Sequence, residues 1–301
     1  MKNVPILLFF TLLFASFAKA QVLEDSVIMN LGIRPALTIV HPGANSKFVD
    51  TEWSAFIKPY GKVTKVKSAR ETVVADIHLL DIGGANELDI YNLNEEISDG
   101  VRTTIWINLD SGFVNSQAYP SQYVASVKLL KDFAHKVKID QLNNELATEQ
   151  KNLEKFESTL MKLVKTNESL HKTIEDSKER IAGAEKDIEI NMKNQELAQK
   201  DIDNQKVIVG EVQKREGVTS KEIDEEVKQL TKYENTFTKL KRENENLHKV
   251  IDDSNKKITQ AETDIATNLE SQETTQKDID SQKVVVDEVQ KKIDKAQSEK
   301  M

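Results

Sequence analysis

The chain has 301 residues, with 42 Lys and Arg against 50 Asp and Glu, a net charge of −8 and no cysteine. An acidic balance argues against nucleic acid as a partner, because phosphate recognition rests on clustered cations. The lack of cysteine excludes a disulfide framework and thiol lipidation, so stability has to come from packing alone.

The first 20 residues have the pattern of a secretory signal peptide: Lys2, an apolar run from Val4 to Phe17, then Ala18-Lys19-Ala20 before Gln21. Cleavage there would leave 40 basic against 50 acidic residues, a net charge of about −10. No later segment approaches the roughly 20 apolar residues of a membrane span. These features together predict an exported protein, periplasmic or extracellular and bacterial, with no transmembrane segment once the leader is gone.

Residues 21–137 differ in composition from the C-terminal half, holding both tryptophans, four of the five prolines and seven of the ten glycines. Just under 120 residues suffice for one modest core, and they predict a small α+β head. Strands are expected at Asp25–Asn30 and Pro35–His41, and then a helix at Ser46–Lys58. Asn45 caps that helix, Val49, Trp53, Phe56 and Ile57 line its apolar face, and Pro59 stops it. Two more strands are expected at Lys62–Lys67 and Val73–Leu80. The clearest hairpin runs from Leu88–Ile97 through a turn at Asp99-Gly100 to Val101–Asp110, which sets either Leu93 or Asn92 opposite Trp106. From Pro120 a helix begins whose Val124, Val127, Leu130, Phe133 and Val137 face the sheet, before it continues outward as the first arm of a coiled coil.

That coil, residues 138–298, carries a heptad pattern with Ile139 at position a that runs to Ala296. Leu170–Lys214 reappears without gaps at Leu247–Lys291, with 27 of 45 positions identical. The offset of 77 residues is eleven heptads, so both copies keep one seam phase. No proline occurs after Pro120. Between the copies, Gly217 marks a helix end, and Thr219 to Glu222 forms a capping box. The resulting reading is an antiparallel hairpin with arms at about 139–215 and 219–298 and a turn at 216–218. Opposed residues then have numbers that sum to 435. This pairs Asn191 with Asn244 and Asn167 with Asn268, so that polar residues meet, and it sets Ala184 against Ile251 and Ala198 against Phe237. The competing arrangement is a single parallel rod of about 240 Å, in which Asn167 and Asn244 at a would specify a dimer.

Chemistry-bearing motifs are sparse. Asp76-Ile77-His78 would put a carboxylate and an imidazole on one strand face, the strongest candidate for an acid/base or metal site, but a solvated strand face uses the same residues. His171 and His248, at e in the two copies, are surface positions. Asn167-Glu168-Ser169 is a glycosylation sequon whose Asn lies on the seam, where a glycan would block pairing. Neither a nucleophile elbow, a phosphate loop nor a dinucleotide fingerprint occurs. No cofactor or metal is expected, and the residues singled out are structural: Asn167, Asn191, Gly217, Thr219, Glu222, Asn244 and Asn268. The expected function is a non-enzymatic exported scaffold, spacer or adhesion-type protein with protein partners, self-association through the coil included. The layout of leader, head and coiled arms resembles that of periplasmic hairpin-tentacle chaperones and prefoldins; this likeness, of layout alone, implies a holdase as the alternative.

Overall fold

A computed structural model describes residues 21–299, so the expected signal peptide at 1–20 lies outside the described residues. The elements are β1 (Leu23–Met29), β2 (Gly32–Pro42), α1 (Ser46–Ile57), β3 (Thr64–Lys65), β4 (Thr72–Ile77), α2 (Leu80–Gly83), β5 (Leu88–Ile97), β6 (Gly100–Asn108), α3 (Pro120–Lys214) and α4 (Ser220–Ser298). The architecture is α+β: a six-stranded antiparallel sheet in the order β1-β2-β6-β5-β4-β3, and two long helices that pack together as a hairpin. Contacts divide the described residues into two units, one running to residue 150 and including those from 285 onward, the other residues 151–284.

In the first unit, alternation along the strands sorts side chains to two faces. On one, Leu37, Ile39, Val74, Ile90, Val101, Ile105 and Ile107 are buried together with Val49, Trp53 and Ile57 of α1 and Leu130, Phe133, Ala134 and Val137 of α3. Helical spacing puts the last four on one stripe of α3. Val124, expected on the same stripe, is instead 68% exposed; its neighbours Tyr123, Ala125 and Val127 pack against the core, so Val124 lies on the outer side of the helix. The rings of Phe133 and Trp53 meet in a T-shaped arrangement at 5.0 Å between centroids, a favourable quadrupole geometry. Helix α1 starts where expected, with the Asn45 carboxamide oxygen accepting from Phe48 N–H at 2.9 Å.

On the opposite face Trp106, Ala36 and Met29 form a second small core bordered by Val27, Tyr91, Leu93 and Phe113. A flat sheet would leave that face open, and it would separate β1 from β4 by four strand spacings, about 19 Å. Yet Asn30 N–H, just past β1, donates to Glu71 Oε1, just before β4, at 3.1 Å. The sheet therefore coils until its two sides meet, and the coil encloses Trp106.

The β5–β6 hairpin corrects the expected register by one residue. Ile97 pairs with Gly100, so Ser98-Asp99 is the two-residue loop, and Trp106 stands opposite Tyr91, neither Leu93 nor Asn92. Gly100 is needed as a strand residue. Its φ is 154°, and a Cβ there would lie 2.2 Å from the His41 carbonyl oxygen. Other strands are shorter than expected. β3 is only Thr64–Lys65, and β4 ends at Ile77, with Leu80 opening α2 instead of closing a strand.

Candidate functional site: polar layers of the coil and the buried polar chain of the head

The heptad frame read from sequence is visible in burial. Every a and d position from Ile139 to Ala296 is buried or half-buried except Glu216 and Thr219, which sit at the turn. In the second unit the seam has an asymmetry that sequence reading did not anticipate. Ser177, Ala184, Asn191, Ala198 and Gln205, all at d, are buried, whereas Ile174, Ile181 and Ile188 at a are only half-buried. The second copy repeats this, with Ser254, Ala261, Asn268 and Thr275 buried beside half-buried Ile251, Ile258 and Ile265. The small or polar side chains at d are thus more enclosed than these isoleucines, although Ile202 and Ile279, also at a, are buried as well. The signal was present in the sequence as a run of small or polar residues at d, seven apart, in both copies.

Cross-arm hydrogen bonds give the register. Gln195 Nε2 donates to Leu240 O at 3.4 Å, Asn191 Nδ2 to Glu243 Oε2 at 3.4 Å and Gln205 Nε2 to Glu226 O at 3.2 Å. The first two pairs sum to 435 and 434, at or next to the expected antiparallel register, and Gln205 reaches about one turn along the opposing helix, to a sum of 431.

The asparagines fall into two classes. At d, Asn191 Oδ1 accepts from Gln195 Nε2 at 3.0 Å, and its repeat equivalent Asn268 Oδ1 accepts from Gln272 Nε2 at 2.6 Å. At a, Asn167 and Asn244 each bury an Oδ1 that has no hydrogen-bond partner. The hydrogen bonds of the Asn191 side chain thus go to Gln195 and Glu243, one turn along its own helix and next to Asn244. Gln195 and Gln272 are the residues that sequence reasoning missed, though Asn and Gln four apart at d and a are both visible and repeated.

At the turn Gly217 takes a φ of +82°, a left-handed conformation that ends α3. Thr219 N–H and its hydroxyl both reach Glu222 Oε2 at 2.8 Å, and Glu222 N–H donates back to Thr219 Oγ1 at 3.3 Å. The Thr219 N–H, then its hydroxyl, hold the Glu222 carboxyl below its ordinary range.

In the head, a chain of polar side chains runs beneath α1. The Thr103 hydroxyl donates to Asn94 Oδ1 at 2.6 Å, and Asn94 Nδ2 donates to Asp50 Oδ1 at 2.7 Å. His41 Nε2 lies 2.9 Å from Thr103 Oγ1, and the imidazole and the Phe133 ring are T-shaped with centroids 5.3 Å apart. Burial pushes the imidazole pKa down to about 4. Nearby, Lys136 joins Glu52 and Asp140. Burial alone would lower its pKa, but the Asp140 and Glu52 carboxylates outweigh this and raise it.

Asp76 and His78 do not form the strand-face pair that their spacing suggested. The β4–β5 register shifts between Val74 and Ile77, Asp76 has a φ of +56°, and His78 lies beyond the strand, 3.6 Å from Glu87. His171 and His248 are exposed. Among the described residues no group of His, Asp and Glu could hold a metal ion, and no helix is long and apolar enough to cross a membrane. A shallow polar groove lies along α1 at Ser46, Lys47, Asp50, Thr51 and Ser54. Compared with family models and with curated proteins, the chain matches none.

Proposed function

We propose that this chain is an exported, non-enzymatic scaffold, spacer or adhesion-type protein of a bacterial envelope, in which the hairpin is a spacer and the head a binding module. The observation that carries the reading is the seam itself: one heptad frame from Ile139 to Ala296 with polar layers at fixed positions, which makes a stiff element of defined register. In the head, His41 serves the fold: its Nε2–H is committed to Thr103 and its ring is sealed against Phe133. Export rests on the pattern of residues 2–20. N-terminal sequencing of protein recovered from the periplasm or medium should begin at Gln21; an intact leader on cytoplasmic protein would refute export.

A holdase is the second reading, and a specific observation favours it. Met161, Met192, Leu197 and Leu269 are each more than half exposed, or half exposed, on the outside of the arms, and flexible thioethers suit promiscuous apolar contacts. Aggregation of an unfolded outer-membrane protein separates the two. No suppression at near-equal molar ratio supports the spacer, and suppression that is lost on changing those four residues to Gln or Lys supports the clamp.

A further inference from the structure

We infer that the two arms are exchangeable, and that a second copy of this chain is a partner of the hairpin through a domain-swapped antiparallel dimer. Three observations converge. The first is phase. A hairpin sets no condition on how the heptads of its two arms relate across the turn, and they would agree by chance about one time in seven. Here the frame passes from Val209 and Val212 through Glu216 and Thr219 to Ile223 and Glu226 without a stutter. Only a helix that runs straight through the turn needs that agreement, because only then must both seams lie on one face.

The second observation is register. Opposed residues sum to 435, as Gln195 and Leu240 do. If the turn straightens, each residue of one chain meets the same partner on the second chain, so every seam contact is kept. The layer added at the crossing obeys the same sum and sets Glu216 of one copy opposite Thr219 of the other, a carboxylate against a hydroxyl. The third is the hinge. Only five residues separate Lys214 from Ser220. Gly217 is exposed, and a Cβ there would meet no atom within 4 Å, so no packing around the glycine itself holds the turn. What holds it is the left-handed glycine and the exposed capping box, both local and both replaceable by helical hydrogen bonds. None of this depends on what the head binds.

The test uses the full chain, refolded at high and at low concentration and sized by chromatography with light scattering. A slowly exchanging dimer should form at high concentration. Gly217→Ala strains the left-handed turn and favours the straight helix in both chains, which should raise the dimerisation constant on the order of a hundredfold or more. Two residues inserted after Gly217 leave a hairpin possible but put the straightened seams on different faces, so the dimer should disappear. Flanking residues such as Glu145 and Lys292 sum to 437. Thr173→Cys in one tagged chain and Asp264→Cys in another, which share that sum, should therefore crosslink between chains in the dimer fraction. A monomer under all conditions for both the wild type and Gly217→Ala would overturn the proposal. So would a dimer that survives the insertion or lacks the crosslink.

Discussion

His41 Nε2 sits 2.9 Å from Thr103 Oγ1, and because that hydroxyl gives its own hydrogen to Asn94, the imidazole has to be the neutral Nε2–H tautomer. Burial holds its pKa near 4, against 6.5 in the unfolded chain. Between those values the unfolded state takes up a proton that the native state does not, so the head loses stability as pH falls from 6.5 through 4. The full loss is about 3 kcal/mol. Urea unfolding of the wild type and of His41→Gln, which keeps a donor toward Thr103, should diverge at pH 7 and converge toward pH 4.5. Parallel pH profiles for the two proteins would show that the ring is not the cause.

The small residues at d should resist enlargement. In a wide leucine seam Ala→Leu at d would add stability, but here Ala184 and Ala261 are buried against the opposing helix. Ala184→Leu and Ala261→Leu should each destabilise by ~1 to 3 kcal/mol through overpacking. A rise in Tm for either would mean that the helices stand further apart than their burial indicates.

The two classes of asparagine should behave in opposite ways. Asn191→Leu removes the acceptor of Gln195 and the partner of Glu243, and should cost ~1 to 3 kcal/mol. Asn244→Leu removes a buried oxygen that has no partner and adds apolar contact, so it should be neutral or stabilising. Coupling of ~0.5 kcal/mol or more is expected in a double-mutant cycle between Asn191 and Gln195. If the cycle between Asn191 and Asn244 shows the larger coupling, the two asparagines depend on each other more than on their own helices.

At the turn, Thr219→Ala should cost about 1 kcal/mol, the usual value of an N-cap, because it removes the acceptor for Glu222 N–H and one donor to the carboxylate. Hydrogen exchange localises the effect. Faster exchange confined to the first turn of α4 is the expected result, and unchanged rates there would deny the cap a role in holding the helix end.

Much of this fold was legible because its signals are local and repeated. Asn45 and the spacing of Val49, Trp53 and Ile57 mark α1 to within a residue at its end, and the heptads mark both long helices. What escaped depends on atoms distant in sequence. The hairpin turn moved to Ser98-Asp99 because the His41 carbonyl, on another strand, leaves room for nothing larger than Gly100. Closure of the sheet over Trp106 rests on Asn30 reaching Glu71, 41 residues away. In the coil, the expected cross-arm asparagine pairs do not bond to each other: Gln195 reached Asn191 along the same helix, and the side-chain oxygens of Asn167 and Asn244 have no partner. Intrahelical geometry supplied a partner that a cross-helix scheme does not consider.

The hairpin register also limits how this protein can change in length. Since every layer is defined by a constant sum, an insertion in one arm displaces all partners beyond it, and the Asn and Gln layers would then fall on isoleucine. Growth or shrinkage that keeps the layers matched has a smallest step of seven residues in each arm at once. Variants of this architecture should therefore differ by whole paired heptads, with the polar layers shifted together or lost together.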